Sequence, residues 1–163
     1  MLKILERLAV YTLTRVILIA LIATLLVFSG ITAYNLSNIY ITVNEAMDKQ
    51  AQAVLDDLPI EQLNKYFTSN YLNNEFYQLK ERYQSIDIAS YKHSSKVHIN
   101  ILAPWAKEAY IMVEDIITDI VLVPRQDEDG NVVKQDIPKW NNSSKRLHMV
   151  YTDGRWKIDG VVK

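Results

Sequence analysis

Two side chains near the end of the sequence make its strongest chemical suggestion. Asp153-Gly154 is a two-residue hairpin signature, and pairing outward from it sets His148 opposite Asp159. A carboxylate facing an imidazole orients the ring and favours its charged form, the arrangement a general base uses. The same register puts Tyr151 with Trp156, Met149 with Ile158 and Leu147 with Gly160 on one face, which reads as the core face. His148–Asp159 then falls on the opposite face, with Val150 against Lys157 and Arg146 against Val161. It reads as a solvated cross-strand pair, and the face Arg146, His148, Val150, Lys157, Asp159 and Val161 as a surface for protein contacts.

The other candidate groups are His98, Asp115 and Asp119, while His93 sits in a serine-flanked stretch, His93-Ser94-Ser95, that reads as a solvated turn. His98 and Asn100 share a strand parity, but no third metal ligand is indicated. Asp127-Glu128-Asp129-Gly130-Asn131 resembles a calcium loop only in composition, because its third ligand follows the glycine, and it reads as an exposed turn. No cysteine is present, and the four glycines form neither a Gly-x-Ser-x-Gly elbow nor a phosphate loop. Asn35-Leu36-Ser37, Asn141-Asn142-Ser143 and Asn142-Ser143-Ser144 match the glycosylation pattern, which matters only in a eukaryotic secretory host. The reading is a non-enzyme with no metal and no cofactor.

The elements that must position these groups begin with helices. Met47, Ala51, Val54, Leu55 and Leu58 form one stripe of an amphipathic helix from Glu45, ended by Pro59. A second helix is expected over 60–67, and a third, capped by Ser69 or Asn70, runs to about Tyr83 with Leu72, Phe76 and Leu79 aligned. After Ser85 the period changes to two. One strand is expected from Ile86 to Lys92 and, after the His93 turn, another carrying Val97, Ile99 and Ile101, broken at Ala103-Pro104-Trp105-Ala106. In the run 108–123 the apolar parity switches from Ala109, Ile111 and Val113 to Ile116, Ile120 and Leu122, which predicts a β-bulge near Glu114 to Ile116.

Ahead of all this lies the uncharged run Val16 to Tyr34. As a helix it would span roughly 28 Å, close to the ~30 Å hydrocarbon core of a bilayer. A buried soluble helix would instead need other elements around its whole circumference. The expected organisation is a cytoplasmic or interfacial segment at 1–15, a transmembrane helix at 16–36 anchored by Val16, Leu18, Leu21, Leu25 and Phe28, a linker or stalk at 37–44, and an extracytoplasmic domain at 45–163. Lys3, Arg7 and Arg15 against Glu6 favour an N-terminus in the cytoplasm. A cleavable signal peptide is the rival, weakened by Ile31 and by the length of the run. Tyr34 and Tyr40 suit an aromatic belt at the outer interface. Ser29 and Ala33, with Gly30 beside them, have the spacing that lets helices pack closely, so a homo-oligomer is one expected partner. The region beyond carries 15 basic against 18 acidic residues, which offers no footprint for nucleic acid.

Three helices, a bent antiparallel sheet and the closing stretch Met149-Val150-Tyr151-Thr152-Asp153-Gly154-Arg155-Trp156-Lys157-Ile158-Asp159-Gly160-Val161 resemble the NTF2-like (cystatin-like α+β) superfamily. With one N-terminal anchor, the arrangement is similar to the VirB8-type and TcpC-type components of type IV secretion and conjugation machines, and to small anchored NTF2-like proteins of Gram-positive spore formers. The resemblance implies three helices packed on a bent sheet and a non-enzymatic scaffold working with the membrane bilayer and other envelope proteins, in a bacterial secretion or sporulation complex. It also implies an alternative, since NTF2-like enzymes and ligand binders use a conical pocket between helices and sheet. A pocket filled by Tyr, Trp and Leu would favour the scaffold; a polar pocket holding a buried Asp or His would favour the alternative.

Overall fold

The computed structural model describes residues 2–100, 102–126, 132–133, 136–140 and 142–162. The Asp127–Asn131 loop lies outside the described residues, as do Ile101 and Asn141. The chain is an α+β protein in which a long apolar N-terminal helix runs into a four-stranded antiparallel sheet.

Helix α1 (Leu2–Leu55) is continuous over 54 residues, about 81 Å at 1.5 Å per residue. The sequence divides it into two environments. Residues 9–31 are exposed all round, without the surrounding elements a buried soluble helix would require, and the run is long and apolar enough to cross a membrane. From Ile39 one face turns inward, with Ile39, Val43, Ala46, Met47, Gln50, Ala51 and Val54 buried at spacings of three and four. The stretch 37–44, expected as a linker or stalk, is therefore helical throughout and supplies Ile39 and Val43 to the core. The helix ends at Leu55, short of the expected Pro59, and Asp57 turns the chain with a left-handed φ of 54°.

Pro59 leads a 3-10 turn (Ile60–Lys65) in place of the α-helix expected there. Thr68, rather than Ser69 or Asn70, caps the next helix, its Oγ1 accepting from Tyr71 N. That helix runs as α2 (Ser69–Tyr71), a π-turn (Leu72–Phe76) and α3 (Tyr77–Tyr83), and it buries Tyr71, Leu72, Phe76 and Tyr83.

The sheet has the order β1 (Ile88–Ile99), β2 (Glu108–Leu122), β5 (Ser144–Thr152), β6 (Arg155–Val162), and β3 (Arg125–Gln126) with β4 (Val132–Val133) makes a separate ribbon. Two features of the sheet depart from the sequence pattern. His93-Ser94-Ser95 is no turn, because β1 passes straight through it, pairing His93 with Ile117 and Ser95 with Asp115. The parity switch in β2 is real, but it lies further along: odd positions stay buried through Ile117, and the irregularity falls around Asp119, where φ is 53° and the register against β1 shifts. The core lies between the inner sheet face (Ile111, Val113, Leu147, Met149, Ile158) and the helices (Met47, Leu63, Phe67, Phe76).

Candidate functional site

The hairpin forms at Asp153-Gly154, both with positive φ, and pairs Tyr151 with Trp156, Val150 with Lys157 and Met149 with Ile158 as the sequence implies. Beyond Met149 the register slips by one residue, so His148 faces Gly160, Leu147 faces Val161 and Arg146 faces Val162. Asp159 is the extra residue. The slip changes the assigned faces at two positions: Gly160, expected opposite Leu147 on the core face, faces His148 instead, and Val161, expected on the outer face, packs against the core beside Leu147. Tyr151 also departs from the core face expected for it; it is 45% exposed at the rim of the sheet and meets the buried Trp156 in a T-shaped contact.

His148 and Asp159 still meet, with Nδ1 3.5 Å from Oδ2. Asp159 is chiefly occupied elsewhere, since Thr68 Oγ1 donates to it at 2.7 Å and Asn70 Nδ2 donates to its carbonyl at 2.9 Å. It thus fastens the start of α2 to β6. His148 stacks on Tyr110 at 5.1 Å and lies 3.6 Å from Glu108. With the exposed Tyr110 and Met112 of β2, and the Arg146 guanidinium 4.8 Å above the Tyr110 ring, these groups form one mixed outer face of the sheet. Val150 and Lys157 extend that face, and the Lys157 ammonium bonds Asp153 at 3.0 Å. Tyr110 and Met112 were not singled out from the sequence, although they follow from the parity of Ala109, Ile111 and Val113.

The most concentrated chemistry is inside. Asp115, at 0% exposure, receives the Trp140 Nε1–H at 2.9 Å and the Lys145 ammonium at 3.3 Å on Oδ2, while His93 Nε2 stands 2.9 Å from Oδ1. His93 Nδ1 lies 3.5 Å from Asp48 of α1. Burial alone would raise the Asp115 carboxyl, but the His93 hydrogen bond, the Lys145 charge and the Trp140 donor outweigh it and hold the group below its usual range. Burial likewise disfavours charge on His93, and the Asp115 hydrogen bond and charge, with Asp48, reverse that and raise its pKa. The result is a carboxylate ringed by donors. Beside it, Tyr71 Oη donates to the buried Gln50 at 3.2 Å, and burial pushes the Tyr71 hydroxyl pKa up. Gln50, Tyr71, Glu75, Arg82 and Lys145 border a pocket of about 180 Å³.

His98 is exposed on β1, and Asp119 pairs with Lys92 at 2.7 Å on the surface. Neither joins Asp115. Among the described residues, no three His, Asp or Glu side chains are arranged to hold a metal ion. The Asn142 amide, one of the glycosylation matches, donates to Ile117 O and accepts from Ile117 N, extending the sheet edge.

A second, larger feature lies where α1 leaves its apolar run. Tyr34, Asn38 and Thr42 of α1, Lys65, and Tyr151 and Arg155 of the hairpin surround a groove of about 480 Å³.

No protein-family model, curated protein or solved structure matches the chain.

Proposed function

We propose that the protein is a non-enzymatic, membrane-anchored scaffold or assembly component, with the N-terminus cytoplasmic and an NTF2-like domain outside the membrane. The observation that carries this reading is the condition of the buried titratable groups. The buried Asp115 is fully engaged by His93, Lys145 and Trp140, whereas the outer sheet face leaves Tyr110 and Met112 exposed among Arg146, His148, Val150 and Lys157. Aromatic, methionine and arginine side chains on a mixed surface suit protein contact. Tethering to one membrane raises effective concentration, so each contact can be weak alone. The α+β order, helices before a sheet closed by the Asp-Gly hairpin, supports the NTF2-like reading. The partner is a second copy or another envelope protein, in a complex of the secretion, conjugation or sporulation kind.

The test is cross-linking of the full-length protein in its native membrane from a photoreactive residue at Tyr110 or Met112. A discrete adduct that Arg146→Glu abolishes supports the reading; a protein that stays uncrosslinked and monomeric overturns it.

One observation favours the alternative of a ligand-binding or catalytic domain: the pocket beside Gln50, Tyr71 and Lys145 is polar and borders the buried Asp115 cluster. A small molecule whose binding is lost in Lys145→Met, in a variant that still folds, would favour it.

A further inference from the structure

The loop between β1 and β2 begins with Leu102 packed against the core. It returns along α1 towards the apolar run, where Asn35 Nδ2 donates to Pro104 O at 3.0 Å and the Trp105 ring stands edge-on to Phe28, with centroids 6.1 Å apart. Phe28 lies inside the uncharged run, about 9 Å below Tyr34 at 1.5 Å per residue. Trp105 is 73% exposed, and Phe28 is the aromatic ring it meets. In water this would strand a large indole on a bare apolar helix.

We infer that the Leu102–Lys107 loop is a second membrane-contacting element, with Trp105 seated in the interfacial layer of the leaflet that α1 crosses to reach the domain. The inference rests on the membrane reading of α1 and goes beyond it, since an anchor alone requires nothing of this loop. Three observations fix the occupant as lipid. The indole lies beside a helix segment that is itself exposed on all sides, so whatever surrounds Leu25 and Phe28 also surrounds Trp105. Tryptophan, with an apolar body and one N–H donor, favours the boundary between acyl chains and headgroups. The neighbouring charges are also suitable. Tyr151 N donates to Lys107 O at 2.7 Å, tying the loop to the hairpin that carries Arg155. Lys107 and Arg155 are both exposed at this end of the domain, where lipid phosphates would lie.

The other two tryptophans, Trp140 and Trp156, are buried, which makes the loop directly observable. The full-length protein is reconstituted in phosphatidylcholine vesicles whose acyl chains are brominated either near the headgroup or near the methyl end. Tryptophan emission should be quenched more by the headgroup-proximal bromines, and Trp105→Phe should remove that quenching. Leu25→Trp in the Trp105→Phe background reports the anchor separately and should be quenched by the methyl-end bromines. If the Leu25→Trp emission is quenched and that of Trp105 is not, the loop inference is overturned and the anchor stands. If neither is quenched, both are overturned.

Discussion

Asp115 of β2 and His93 of β1 are 2.9 Å apart on the inner face of the sheet, two residues out of direct register, because Ser95 rather than His93 is paired with Asp115. This diagonal contact lets the imidazole reach α1 as well, where Asp48 lies 3.5 Å from its other nitrogen. The sheet and the long helix are thus joined through one titratable ring, and stability should follow its charge.

The folded pKa of His93 is raised from 6.5, so its contribution is complete below 6.5 and is lost as pH climbs through the raised value. That of Asp115 is lowered from 3.8, so its contribution is complete above 3.8 and is lost as pH falls through the lowered value. Melting temperature should plateau between those limits. His93→Gln should flatten the alkaline limb and also weaken the acid limb, because the His93 hydrogen bond is foremost among the contacts that hold Asp115 down. Melting curves above pH 6.5 that superimpose for wild type and variant would refute the assignment.

Removing the carboxylate is more severe, because the partly buried His93 and Lys145 and the buried Trp140 N–H all lose the acceptor they share. Asp115→Ala should cost about 3–5 kcal/mol. Chemical denaturation of the full-length protein in detergent checks this, and a loss under about 1 kcal/mol would mean that water reaches the cluster.

Trp156 and Tyr151 face each other across the hairpin yet should respond differently. Trp156→Ala empties a buried site and should cost about 3–5 kcal/mol. Tyr151→Ala removes a rim contact and should cost about 1 kcal/mol. Equal losses would contradict the rim position of Tyr151.

Asp159→Ala should destabilise by about 1.5 kcal/mol through its bond to Thr68, whereas His148→Ala should leave melting nearly unchanged. The order of the two melting temperatures is the readout, and its reversal would place the weight on His148.

External protease on intact cells or protoplasts should remove an epitope at Lys163 and spare one at Met1. Protection of Lys163 would reverse the proposed orientation, and a mature N-terminus near Tyr34 would show cleavage.

Much of this was legible because local patterns agree with the fold. The length and bareness of Val16–Tyr34, the Asp153-Gly154 turn and the parity of Ala109, Ile111 and Val113 each state their structure outright. The interior site was hidden by one local choice. His93-Ser94-Ser95 has turn composition, yet His93 shares parity with Tyr91, Val97 and Ile99, and a strand carried through the serines places it on the core face beside Asp115. Composition suggested a break; cross-strand pairing with β2 overrides it. The slip at Asp159 was hidden for another reason, since a bulge fixed by Thr68 and Asn70, far away in sequence, leaves no mark in the strand itself.

The uninterrupted course of α1 has a mechanical consequence. Its hydrogen-bonded turns run from the bare segment into the core without a flexible joint, so a rotation of Leu25 or Phe28 about the helix axis must carry Val43, Met47 and Asp48 with it. Asp48 is the residue that reaches His93. Torque applied to the apolar segment would therefore arrive at the charged centre of the domain, so the helix can transmit rotation as well as hold position.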